Sequence, residues 1–137
     1  MTGTFQGVGT LQFTPDNKHV FAASGSIPIT SEKTLLEFET QSYYLKIQIA
    51  AVTFGVSNED FKYRIKYNDV NIQEIYYIDT YKNYDDDARD FYYIIPPFTT
   101  LTITGESVGG TSGDLGAIVS GTVHGAIEQF NLEVNDD

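Results

Sequence analysis

Phe61-Lys62-Tyr63-Arg64-Ile65-Lys66-Tyr67-Asn68-Asp69-Val70, continuing as Asn71-Ile72-Gln73-Glu74-Ile75-Tyr76-Tyr77-Ile78, decides the class of fold. The first seven residues alternate without a fault, with Phe61, Tyr63, Ile65 and Tyr67 on one side and Lys62, Arg64 and Lys66 on the other. A period of two belongs to an extended strand with one face against a core. Asn and Asp tolerate left-handed backbone, so Asn68-Asp69 suits a two-residue hairpin turn and Val70 to Ile78 is the return strand. Pairing across that turn sets Tyr67 opposite Val70 and Ile65 opposite Ile72, so that apolar side chains share a face.

The same grammar extends in both directions. Leu11-Gln12-Phe13 closes a first strand, and Thr14-Pro15-Asp16-Asn17 is a turn whose Pro presets its dihedral. His19 to Ala23 is a short strand, interrupted at Ser24-Gly25-Ser26. Ile27-Pro28-Ile29 reads as an edge segment, because Pro has no N–H to give to a ladder. Thr34 to Glu39 and the long Tyr43 to Phe54 follow; after the polar stretch from Asp79 to Asp90 come Phe91 to Ile95, Phe98 to Ile103 and Ala117 to Ile127. Gly105 to Gly116 reads as a glycine-rich loop. It lacks the Gly-Lys-Ser/Thr ending of a phosphate cradle and enters no helix.

This pattern predicts an all-β chain, a single antiparallel β-sandwich of about eight strands, with long connections that favour a jelly-roll-like winding over a meander. Residues 1–130 are expected to form that one domain and 131–137 an acidic C-terminal tail. A chain of 137 residues buries enough surface for one self-sufficient core.

Composition removes several chemistries. With no cysteine there is no disulfide, thiolate zinc site or cysteine nucleophile. A balance of 8 Lys+Arg against 19 Asp+Glu gives a formal charge of −11, a field that repels nucleic acid and anionic membranes. Met1-Thr2-Gly3-Thr4 shows neither the basic nor the apolar part of a leader, and a soluble protein without a signal peptide is expected.

Reactive residues are few. His19 and His124 are the two histidines, each inside an apolar strand, and no Gly-x-Ser-x-Gly elbow accompanies them. The run Asp85-Asp86-Asp87 with Asp90 is the densest set of hard oxygen donors and the candidate calcium loop, although EF-hand spacing is missing and a solvated acidic loop is the simpler reading. Lys62, Arg64 and Lys66 gather three of the eight cations on one strand face, a candidate contact for the acidic loop of a neighbouring copy. Tyr43-Tyr44, Tyr76-Tyr77 and Tyr92-Tyr93 are adjacent pairs, so one ring of each points out of the core. Tyr44, Tyr77 and Tyr92 are the outward candidates for contact with protein or glycan.

Ile94-Ile95-Pro96-Pro97-Phe98-Thr99-Thr100-Leu101-Thr102-Ile103, then Ala117-Ile118-Val119-Ser120-Gly121-Thr122-Val123-His124-Gly125, is similar to the last strands of small jelly-roll virion proteins of tailed phages and related viruses. The resemblance spans residues 43 to 127 and brings no catalytic residues. It implies a non-enzymatic role at the virion surface, as capsid decoration, cement or head-fibre component, without a cofactor. Its partners would be other virion proteins and further copies of the chain, with a trimer favoured. The alternative from a different class is a glycan-binding module, calcium-assisted through the Asp85 to Asp90 loop.

Overall fold

The computed structural model describes residues 10–14, 16–54, 61–77, 92–108 and 113–125. The acidic tail 131–137, the Asp85 to Asp90 loop and the beginning of the first expected strand lie outside them. Within the described residues there are ten strands and no helix: β1 (Thr10–Thr14), β2 (His19–Ala23), β3 (Ile27–Ile29), β4 (Lys33–Glu39), β5 (Tyr44–Phe54), β6 (Phe61–Tyr67), β7 (Val70–Tyr77), β8 (Tyr93–Ile95), β9 (Thr100–Ser107) and β10 (Gly113–His124).

They form two antiparallel sheets stacked as a β-sandwich. The first has the order β1-β2-β10-β5-β8, with β3 also on β10; the second has the order β4-β9-β6-β7. The pairs nest: β6 with β7, outside that β5 with β8, then β4 with β9, then β3 with β10. One of the two strands beyond eight has a simple origin. β2 and β3 lie end to end along one side of β10, β2 pairing with Thr122 to Ile118 and β3 with Leu115 to Gly113. At the break between them the Ser24 amide donates to the Ala117 carbonyl (3.0 Å), and the Ser24 hydroxyl accepts from the Ala117 amide (2.9 Å). A side chain thus replaces the missing ladder bond and gives the buried Ala117 amide its partner.

One core fills the space between the sheets. Val20, Ala22, Ile29, Leu45, Ile47, Ile49, Tyr93, Ile95, Leu115, Ala117, Val119 and Val123 come from the first sheet; Leu35, Leu36, Phe38, Phe61, Tyr63, Ile65, Leu101 and Ile103 from the second. The alternation read from Phe61 to Tyr67 holds: Phe61, Tyr63 and Ile65 are fully or almost fully buried. Burial of one such side chain contributes about 2 kcal/mol, so these three anchor the second sheet to the first.

Asn68 and Asp69 make the expected two-residue turn, both in left-handed backbone (φ 51° and 67°). Tyr67 faces Val70 as predicted, but Ile65 faces Gln73, not Ile72. The register slips by one residue, a β-bulge that leaves Ile72 48% exposed. A second slip on the opposite edge of this sheet, at Leu35 in β4, turns both Leu35 and Leu36 inward.

The expected loop from Gly105 to Gly116 is also corrected. β9 continues through Gly105 to Ser107, and β10 begins at Gly113 and pairs at once with β3. Gly105 occupies an inward position where the Leu35 and Leu115 side chains close over it, so its glycine serves packing within a strand and not a turn. Phe98, read as the start of a strand, stands in the Pro96 to Thr99 turn with φ 56° and is 67% exposed.

One end of the sandwich is laced by polar bonds. The buried Thr40 hydroxyl donates to the Pro96 carbonyl (2.8 Å) and accepts from the Thr99 amide (3.0 Å), while the Asn68 side-chain carbonyl accepts from the Thr100 amide (2.8 Å). Two tyrosines tie β8 to the second sheet: Tyr67 donates to the Ile94 carbonyl (3.0 Å), and the Tyr93 hydroxyl meets the Gln73 side chain. Burial pushes the Tyr67 phenol up to about 12 and also raises Tyr93, so both hydroxyls stay protonated as donors.

Candidate functional site: two unlike outer faces

With alternate residues committed to the core, each sheet presents its other face outward, and the two faces differ in kind.

The second sheet carries an ionic lattice. Arg64 on β6 is met by Glu74 of β7 (2.7 Å), Glu32 before β4 (2.9 Å) and Glu106 of β9 (3.0 Å). Lys62 reaches Glu106 and Lys66 reaches Glu32, each at 3.4 Å. Glu32 also accepts from the Thr104 hydroxyl, and Glu37 from that of Thr102. The Thr104 hydroxyl, then Arg64 and Lys66, holds the Glu32 carboxyl down to about 2, against a partial loss of hydration. The hydrogen bonds to Glu74 and Glu32 raise Arg64 further above its already high value. The three cations singled out in the sequence do face outward together, but their charge is answered by carboxylates of their own chain. Partly exposed pairs of this kind add little stability singly; as a connected set around one guanidinium they fix the sheet's side chains in place.

The first sheet is different. Its outward residues are Gln12 and Thr14 on β1, His19, Phe21 and Ala23 on β2, Asp114, Gly116, Ile118, Ser120, Thr122 and His124 on β10, Tyr44, Lys46, Gln48 and Ala50 on β5, and Ile94 on β8, with Tyr92 just before it. The register sets them in rows: Ala23-Ile118-Ala50, then Phe21-Ser120-Gln48, then His19-Thr122-Lys46-Ile94, with His124-Tyr44 at the end. Phe21 (38%), Ile118 (36%), Tyr92 (60%) and Ile94 (52%) are large apolar side chains left in water. Tyr44 stacks on the His124 ring with centroids 4.8 Å apart, the Thr122 hydroxyl lies 2.8 Å from His124 Nε2, and the Lys46 ammonium sits 4.8 Å from the Tyr92 ring centroid. Among the described strands of this sheet the single carboxylate is Asp114, at one end.

Comparison of the chain with protein-family models, with curated proteins and with solved structures gives no match.

The remaining sequence candidates fall as follows. Tyr44 and Tyr92 stand on the outer face of the first sheet, whereas Tyr43 packs against Phe13 (5.7 Å) and Tyr93 is buried, so both pairs divide between inside and outside. The Tyr77 side chain and Asp85, Asp86, Asp87 and Asp90 lie outside the described residues. Among the described residues no three His, Asp or Glu converge as a metal site, and no helix is long and apolar enough to cross a membrane. His19 and His124 face outward from the first sheet. An open concavity along β7, lined by Asn71, Ile72, Gln73 and Glu74, gathers a lone carboxylate and no nucleophile.

Sequence reasoning missed that Phe21, Lys46, Ile94 and Ile118 join the two histidines on one surface. Their strands are scattered from residue 19 to residue 124, and only the pairing of β10 with both β2 and β5 makes them neighbours. The alternation Val20-Phe21-Ala22, with the larger side chain outward, was the available signal.

Proposed function

We propose that this chain is a non-enzymatic structural protein of a virion surface, of the capsid-decoration or head-fibre kind, which acts by protein–protein contact through the outer face of its first sheet. The nested strand pairing supports the jelly-roll winding that the C-terminal resemblance implies. The observation that carries the reading is the contrast between the two outer faces. One has the three cations of β6 paired within the chain; the other leaves Phe21, Ile118, Tyr92 and Ile94 exposed on a broad surface with a single carboxylate at its margin among the described strands. Large apolar side chains left exposed on one face mark a place of contact in a protein whose overall charge otherwise favours solution.

The test is particle association. Virus particles from the source of this chain, purified on a density gradient, should contain it at a fixed ratio to the major shell protein, and Phe21→Lys together with Ile94→Lys should remove it from them. Recovery of the chain only in the soluble fraction would overturn the assignment. Specific retention on a glycan array, lost in the same variants, would move it to glycan recognition.

A further inference from the structure

We propose that the outer face of the first sheet is a twofold contact between two copies of this chain, laid face to face with Ile118 on the axis.

Charge selects the occupant. Among its described strands the face carries Lys46 and a single carboxylate, Asp114, so it holds no acidic cluster to attract a Lys- and Arg-rich partner. A second copy brings the same face and a net charge of −11. Two such bodies repel each other over most approaches, and a face nearly stripped of carboxylates is where that repulsion is least.

Register then makes the face self-complementary. Asp114 stands four residues before Ile118 and Thr122 four residues after it, all three outward on β10. A twofold axis across the strands at Ile118 turns one copy end for end. Asp114 of each copy then meets the partner's Thr122 row, flanked by His19 on β2 and Lys46 on β5. Ile118 meets its own equivalent between the small side chains Ala23 and Ala50. Phe21, in the Ser120 row, falls over the partner's Gly116 row, where β10 has no side chain. The twofold brings Asp114 of each copy to the row that holds the other's Lys46, so the pair is made twice, as an isologous contact requires.

Strands about 4.8 Å apart and residues about 3.4 Å apart give this face roughly 500 Å² in projection, near the lower limit of specific interfaces. A reversible dimer with a dissociation constant in the micromolar range is expected. The inference deepens the structural reading above and rests on it only in taking contact as the role. A dimer that never joins particles sinks the virion reading and leaves the contact standing; a monomer found on particles does the reverse.

The test is sedimentation equilibrium of the full chain between about 1 and 500 µM, a range that brackets micromolar association. The wild type should fit a monomer–dimer equilibrium. Ile118→Asp should be monomeric throughout with an unchanged circular dichroism spectrum. Should that variant unfold, the exposed charge pair provides the decision. Lys46→Glu and Asp114→Lys should each weaken the dimer by about tenfold or more, and the double exchange should return it to within about threefold of wild type. A wild-type chain that is monomeric at every concentration, a trimer, a dimer indifferent to Ile118→Asp, or charge exchanges that add instead of compensating would each overturn the proposal.

Discussion

Gly121 of β10 and Ile47 of β5 are register partners with no room between them for a side chain. A methyl group on the Gly121 Cα would lie 2.1 Å from the Lys46 carbonyl oxygen and 2.7 Å from the Ile47 Cα. Both obstacles are backbone, and backbone at the centre of a sheet cannot step aside. Gly121→Ala should therefore cost about 3 kcal/mol in urea unfolding. Gly105→Ala meets only the methyl ends of Leu115 (2.9 Å) and Leu35 (3.1 Å), which can rotate away, and should cost about 1 kcal/mol. Equal losses in the two variants would contradict this account of the packing.

Thr40 is fully buried and its hydroxyl holds both ends of the Pro96 to Thr99 turn. Thr40→Val keeps the shape but leaves the Thr99 amide without its side-chain acceptor and the Pro96 carbonyl without its donor. A loss of about 2 kcal/mol is expected, read as a lower midpoint with an unchanged denaturant slope.

Phe98 holds φ 56° while 67% of it stays in water, so the fold bears left-handed strain for little burial in return. Asn accepts that backbone readily. Phe98→Asn is expected to stabilise the chain by about 1 kcal/mol, seen as a raised Tm in differential scanning calorimetry. A lowered Tm would mean that the exposed ring is packing after all.

Acid should act through Glu32. Its carboxyl is held at about 2 in the folded chain, below the ordinary 4.5, so the folded state binds its proton later than the unfolded state. The sign follows: this contribution is fully present above about pH 4.5 and disappears as the pH falls towards 2. The urea midpoint should drop across that window, and Glu32→Gln should flatten the drop while leaving the circular dichroism spectrum intact. A variant with the same acid slope as wild type would show that the ionic lattice is not its origin.

The parts of this fold that a reader of the sequence can see are those set by local alternation. Phe61 to Tyr67 declared its inner and outer faces, Asn68-Asp69 its turn, and Pro28 its place beside a single neighbour. What stayed hidden depended on partners distant in the chain. The bulge at Ile72 lies in the pairing of β7 with β6 while β6 keeps a regular register with β9, and nothing within Val70 to Ile78 announces it. Glycine content made residues 105 to 116 look like a loop, whereas Gly105 is small because Leu35 and Leu115 need its space. The basic stripe was legible as an outward row, yet Glu32, Glu74 and Glu106, which answer it, come from three separate segments. The exposed face of the first sheet was the least legible of all, being assembled by β10.

That strand also dictates a timetable. β10 holds β5 along eleven residues on one side and β2 with β3 on the other, yet it is the last of the described strands. During synthesis every other element of its sheet emerges first and waits with an open edge, exposed to stray pairing with neighbouring nascent chains. The long loops that must close before β10 can dock make folding slow, on the order of milliseconds to seconds, and hold it back until β10 has emerged. A ribosome that stops short of Gly113 releases a sheet without its spine.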